Sequence, residues 1–101
     1  MVVVIFEFET DPTQQDRYFE LATVLRDEGE KIEGFVSVER CENIHEPDCF
    51  VSISSWENME AVKAWKEQIE HSSAQQEAKS TSIFKHYRIR VAEVVRDYGS
   101  D

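Results

Sequence analysis

The sequence is poor in the residues that staple, kink or loosen a chain. It holds two cysteines, two prolines and three glycines in 101 residues. With eleven aromatics spread along the length, this excludes collagen-like and low-complexity chains and argues against disorder. Basic residues are scarce too: 11 Lys and Arg stand against 21 Asp and Glu, a net charge of −10. A nucleic-acid or anionic-membrane surface needs clustered positive charge, so neither partner is expected. No apolar run approaches the roughly 20 residues that cross a bilayer. Residues 1–6 lack a basic flank and stop at Glu7, so they read as a strand and not as a signal peptide. There is no glycine-rich phosphate loop, no Ser/His/Asp arrangement and no His-Glu-x-x-His pattern. What remains is a soluble, cytoplasmic, single domain over residues 1–101. A chain of that size buries roughly 60–70 % of its unfolded surface, enough for one core without staples.

The patterning is regular. In residues 2–9 one register (Val2, Val4, Phe6, Phe8) is wholly apolar, as a strand requires. Asp11-Pro12-Thr13-Gln14 then offers an N-cap, a proline at the first helical position and Gln at the third. Tyr18, Leu21, Ala22, Leu25 and Ile32 follow at helical spacing, with Gly29 near the stop. Residues 35–42 and 49–56 read as two strands joined by the polar turn of residues 43–48, an antiparallel hairpin. Asn58 caps a second helix with the stripe Met59, Val62, Trp65 and Ile69. A last strand over residues 83–96 alternates Tyr87, Ile89 and Val91 with His86, Arg88 and Arg90. The stretch 71–82 between them is the longest polar one.

The order β-α-β-β-α-β is the α+β, ferredoxin-like pattern: a four-stranded antiparallel sheet with both helices on one face. Each strand has a clean apolar register, with Val36/Val38 and Val51/Ile53 supplying those of the middle strands. Each also has a mixed register, holding Glu7, Ser37, Glu39, Ser52, Ser54, Trp56, Arg88 and Arg90. A mixed face covered on both sides calls for a second subunit, so a homodimer is expected. Much of the acidity falls on helix surfaces, at Asp16, Glu20, Glu28, Glu60 and Glu67.

Three stretches carry a family resemblance. They are Glu33-Gly34-Phe35-Val36-Ser37-Val38-Glu39-Arg40, then Val51-Ser52-Ile53-Ser54-Ser55-Trp56-Glu57-Asn58 with Ala61-Val62-Lys63-Ala64-Trp65. The third is Glu70-His71-Ser72-Ser73-Ala74-Gln75 with Ile83-Phe84-Lys85-His86-Tyr87-Arg88-Ile89-Arg90-Val91-Ala92. Together they resemble the antibiotic-biosynthesis-monooxygenase family of dimeric α+β barrels. The resemblance implies a pocket between helices and sheet, and sheets of two subunits packed together. Its polyketide-oxidising branch places a Trp at Trp56 and an Asn where this chain has Ser52. Its haem-degrading branch resembles this chain at Trp65 and most nearly at His71, but has an Asn at about Glu7, a poor neighbour for haem propionates.

On this resemblance Trp56, Trp65 and His71 are the catalytic candidates, and Glu7, Phe35, Ser52, Phe84 and Arg88 the substrate-binding ones. The implied activity is cofactor-free oxygenation of a quinol, anthrone or polycyclic phenol, a small aromatic substrate whose anion indole, imidazole or arginine donors would stabilise. The alternatives are a non-catalytic ligand-binding or stress-related dimer and a haem-binding or haem-degrading protein; no cofactor is expected in the first reading and haem is disfavoured. Each candidate also has a plain structural reading. Trp56 serves as a core plug and Trp65 belongs to the apolar stripe. His71 lies about 120° around the helix from Trp65 and reaches a pocket only if the helix breaks near residue 70. Arg88 and Arg90 can pair with Glu7 and Glu39 across the sheet. On the last strand Phe84, His86 and Arg88 share one register by alternation. Cys41-x3-His45-x3-Cys49 superficially suggests zinc, but two reduced thiols are the default without export.

Overall fold

Alternating β-branched and aromatic side chains make β1 (Val2–Thr10), and the chain then turns through a 3-10 segment, Pro12–Gln14, into α1 (Gln15–Glu30). β2 (Phe35–Glu42) and β3 (Cys49–Trp56) form the hairpin, and α2 (Met59–Glu70), α3 (Ser73–Ser80) and β4 (Phe84–Glu93) complete the order. These elements belong to a computed structural model that describes residues 1–80 and 82–100. The sheet is antiparallel throughout, in the order β2-β3-β1-β4. The ferredoxin-like α+β architecture expected from the pattern is therefore the one found.

Local chemistry sets the element ends. The Asp11 carboxylate accepts from the Thr13 backbone N–H at 3.0 Å and from the Thr13 hydroxyl at 2.8 Å, and this caps the 3-10 turn. Asn58 Oδ1 accepts from the Ala61 N–H at 2.9 Å and starts α2. Gly34 has a φ of +94°, and a Cβ there would meet the Ala61 Cβ at 2.8 Å. Only glycine lets the chain enter β2 this close to the first turn of α2.

The helical layer has one more piece than the sequence pattern indicates. α2 stops at residue 70, and α3 begins three residues later. α3 hides from periodicity because its buried residues are two alanines, Ala74 and Ala78, which pack with Leu21 and Tyr18 of α1. Arg17 of α1 also donates through two nitrogens to the Glu77 carboxylate, tying the two helices. Glu28 is no solvated surface acid either. It follows Leu21 by seven residues, so it falls on nearly the same stripe of α1, and its Oε2 is sealed from solvent with no hydrogen-bond partner among the described residues.

The registers correct the expected assignment of faces. The helix-covered side carries Val2, Val4, Phe6 and Phe8 of β1, as the pattern indicates. Through the pairs Phe8↔Phe50, Phe6↔Ser52, Val4↔Ser54 and Val2↔Trp56, it also carries the serine and tryptophan register of β3. Val51 and Ile53, the apparent core register of β3, lie on the open side with Glu7 and Ile5. Volume decides this: Phe50 and Trp56 need the thick core under the helices, and the serines between them follow by alternation. Glu7, Arg88 and Arg90 are thus on the face opposite Ser52 and Trp56. In β2 the register shifts between Phe35 and Ser37, leaving Val36 exposed while Val38 joins the helix side opposite Ser54. A second shift, at Glu9/Thr10, separates Phe84 from His86 and Arg88: Phe84 pairs with Thr10 and turns under the helices.

Candidate functional site

The helix-side interior is two clusters. Phe8, Tyr18, Leu21, Phe50, Ala74, Ala78 and Ile83 fill one end. Val2, Trp56, Ala61 and Val62 fill the other, with Phe35, Ile32, Met59 and Trp65 packed against them. Between the two, β3 presents Ser52 and Ser54 in place of bulky side chains.

The second cluster holds the tryptophans. Trp56, 1 % exposed, ends β3, and Trp65 comes down from α2 to stack on it with ring centres 6.0 Å apart and planes 24° apart. Phe35 meets Trp56 edge-on at 5.4 Å. The Trp56 indole N–H donates to the Ser54 hydroxyl at 2.9 Å. Trp65 also rests against α1, where a Cβ on Gly29 would lie 3.5 Å from the ring. Trp56, Trp65 and Phe35 are therefore one assembly, and Ser52 is on the same face one register step beyond Ser54.

The remaining candidates lie elsewhere. Phe84 belongs to the first cluster, 5.3 Å from Phe6, 5.2 Å from Phe8 and 5.6 Å from Tyr18. Phe6 in turn reaches Tyr87 at 5.8 Å. The helix-side register of β4 is left largely open, with Tyr87, Ile89 and Val91 62 %, 54 % and 46 % exposed. His71 sits at the C-cap of α2 and is exposed, although the helix does break there.

Glu7 and Arg88 face each other in the β1–β4 register on the open side. Arg88 donates to the Glu7 carboxylate at 2.8 Å and Arg90 donates to its other oxygen. The Arg88 hydrogen bond is the main cause that holds the Glu7 carboxyl below its ordinary range, with Arg90 adding to it. Glu39 takes no part, because β2 and β4 are opposite edges of the sheet. A concavity of about 570 Å³ opens on this side, lined in part by Glu7, Glu9, Cys49, Val51, His86 and Arg88. It contains none of Trp56, Trp65 and His71.

Cys41 and Cys49 are free thiols. Burial, and then the carboxylates of Glu9, Glu46 and Asp48, push the Cys49 thiol up. The described residues contain no cluster of three or more His, Cys, Asp or Glu able to hold a metal ion.

One arginine escapes sequence reasoning. Arg40 pairs with Ser52 in the β2–β3 register, on the helix side. Its guanidinium lies 5.6 Å from the centre of the Tyr18 ring and 5.3 Å from that of Phe19. Burial pushes the Tyr18 phenol up, and the charge and hydrogen bond of Arg40 oppose that rise. The available signal was its position two residues after Val38 in an alternating strand.

Comparison with known proteins adds the following. The model of the family described as antibiotic biosynthesis monooxygenase matches residues 1–77. A curated relative from Pyricularia oryzae, named jasmonate monooxygenase ABM, is 30 % identical over 101 residues, which is 100 % of this chain and 46 % of the relative. The chain thus spans a little under half the length of that relative. The solved structure of SnoaB, a cofactor-independent oxygenase from Streptomyces nogalater, matches with a TM-score of 0.78 at 9 % identity, covering 98 % of this chain and 97 % of its own. Rv0793 from Mycobacterium tuberculosis matches with a TM-score of 0.78 at 13 % identity, covering 97 % and 98 %. At such identities the two structures speak for the fold. No helix among the described residues is long and apolar enough to cross a membrane.

Proposed function

The chain belongs to the antibiotic biosynthesis monooxygenase family, and on that premise we propose that it is a cofactor-independent oxygenase for a small ring compound with an ionisable O–H or C–H. Quinols, anthrones and related polycyclic phenols have this chemistry. The reading rests on the Trp56–Trp65 stack with Phe35 edge-on to it, bordering a floor of hydroxyls at Ser54 and Ser52.

Without a redox group, the substrate supplies its own electrons. An anthrone methylene loses a proton, and the resulting anion passes one electron to dioxygen. The two radicals join as a peroxide anion, which takes back the proton lost from the methylene to become a hydroperoxide. Loss of water then leaves a carbonyl, so one oxygen atom ends in product and the other in water. The chain's part is to hold the ring against aromatic faces, exclude water and favour the anion. Ser54 suits the last task. Its oxygen accepts from the Trp56 indole, which polarises the hydroxyl and leaves its proton free to donate to a substrate anion. Ser52 offers a second hydroxyl on the same face. In this reading Phe84 walls the far end, and Glu7 with Arg88 serves the open face; His71, exposed at the end of α2, takes no part.

The open face is covered by a second copy of the domain. Its charges nearly cancel, with Glu7, Glu9 and Glu39 set against Arg88, Arg90 and Lys85, while the whole chain carries −10. That balance suits a sheet meeting its own copy.

The jasmonate-named relative supports a second substrate, a cyclopentanone carboxylate, whose enolisable ring ketone enters the same anion chemistry. Oxygen uptake with anthrones, quinols and jasmonate, with no cofactor added, tests the proposal. Turnover that slows in Trp56→Phe and Ser54→Ala supports it; no uptake with any of them, or unchanged turnover in both variants, rejects it. A Soret shift and tight binding on adding haem would transfer the chain to the haem-binding alternative.

A further inference from the structure

We propose that Arg40 anchors a carboxylate carried by the substrate, so that the helix-side site prefers a ring-bearing monocarboxylate to a neutral ring. The inference deepens the oxygenase reading and rests on it.

In a chain of charge −10, arginines are expected to be taken up by carboxylates, and most are. Arg17 binds Glu20 and Glu77, Arg26 binds Glu30, and Arg88 and Arg90 share Glu7. Among the described arginines only Arg40 and Arg96 have no carboxylate within ion-pair distance, and Arg96 lies in the segment after β4. Arg40 is left unpaired although Glu42 shares its face of β2 two residues on. Its guanidinium is placed instead by the rings of Tyr18 and Phe19 and by a hydrogen bond to the Tyr18 phenol, which hold the fork without neutralising its charge.

The position is the useful one. Arg40 is on the helix side, in register with Ser52, and Ser54 with its bound indole comes next along β3. A ligand ring held over the serines toward Trp56 would therefore direct an attached carboxylate at the guanidinium. The Tyr18 phenol, hydrogen-bonded to Arg40, stands beside it. An exposed arginine fork binds a carboxylate through two parallel hydrogen bonds, and aromatic collars lower the conformational freedom lost on binding. A neutral ring gains none of this.

The test is equilibrium binding at pH 7, read by quenching of the tryptophan fluorescence, with jasmonic acid, methyl jasmonate and anthrone as probes. The wild-type chain is expected to bind the acid at least tenfold more tightly than the ester, with the preference shrinking as salt is raised. Arg40→Gln should remove the preference while leaving anthrone binding within twofold, and Arg40→Lys should keep part of it. Far-ultraviolet circular dichroism checks that each variant is folded. Equal affinity for acid and ester, or a preference that survives Arg40→Gln, overturns the proposal. If anthrone is bound and oxidised while neither jasmonate form binds, the carboxylate anchor fails and the oxygenase reading stands. Failure of all three probes to bind overturns both.

Discussion

Trp56 and Trp65 form a single stacked unit, 6.0 Å between ring centres, that joins the end of β3 to the middle of α2. Trp56 is the buried partner, 1 % exposed.

Trp56→Ala should therefore cost about 3–5 kcal/mol, the usual loss for emptying a large aromatic site. Urea unfolding followed by circular dichroism measures it as a fall in midpoint. Trp56→Phe should recover much of that loss while removing the indole donor to Ser54, which separates packing from chemistry.

Gly34→Ala is expected to destabilise by about 2 kcal/mol, more than an ordinary surface change, because both the positive φ and the approach to Ala61 oppose a side chain. A domain of this size loses roughly 4–8 °C of melting temperature per kcal/mol, so a thermal melt reads the effect directly.

Acid lability should come in part from Glu7. Its folded pKa is lowered, chiefly by the Arg88 bond, from an ordinary 4.5. A lowered carboxyl stabilises the folded chain fully above its unfolded value. That contribution is lost as pH falls below about 4.5 toward the folded value. Unfolding curves of Glu7→Gln and wild type over that window should converge at the acid end; parallel curves would show that Glu7 contributes nothing.

Much of this was legible beforehand, and for definite reasons. The strands were visible because β-branched and aromatic residues alternate in them, and the helix starts because Asp11 and Asn58 are cap residues. Which face Ser52, Ser54 and Trp56 occupy was not legible, since the alternation of Val51 and Ile53 looks equally like a core. The bulge that turns Phe84 inward depends on pairing with Thr10, a tertiary fact with no local signature. α3 was missed because alanines carry no apolar stripe. The tryptophan pair was readable as two candidates; that they touch each other while Glu7 and Arg88 meet on the other face required the register.

Sedimentation should find wild-type chain at about twice the 11.8 kDa of one copy. Ile53 lies opposite Ile5 and Glu39 on the open face, so Ile53→Glu sets a like charge beside Glu39 in the proposed contact and should give single copies. A wild-type mass of one chain would rule out sheet-to-sheet pairing.

Cys49 should alkylate slowly. Burial and three nearby carboxylates raise its thiol, so little thiolate is present near pH 8. Iodoacetamide labelling of a Cys41→Ser variant, timed by mass spectrometry against free cysteine, measures the difference, and labelling as fast as free cysteine would refute it.

The separation of the interior into two clusters bears on how such a domain changes its preferences over time. Each end carries its own aromatic packing, and Ser52, Ser54 and Arg40 are members of neither. Substitutions at Ser52 and Arg40 escape the large penalties of emptying a core, and at Ser54 another hydroxyl or amide acceptor keeps the Trp56 indole satisfied. The middle strip is therefore free to drift toward new ligands while both ends keep the chain folded.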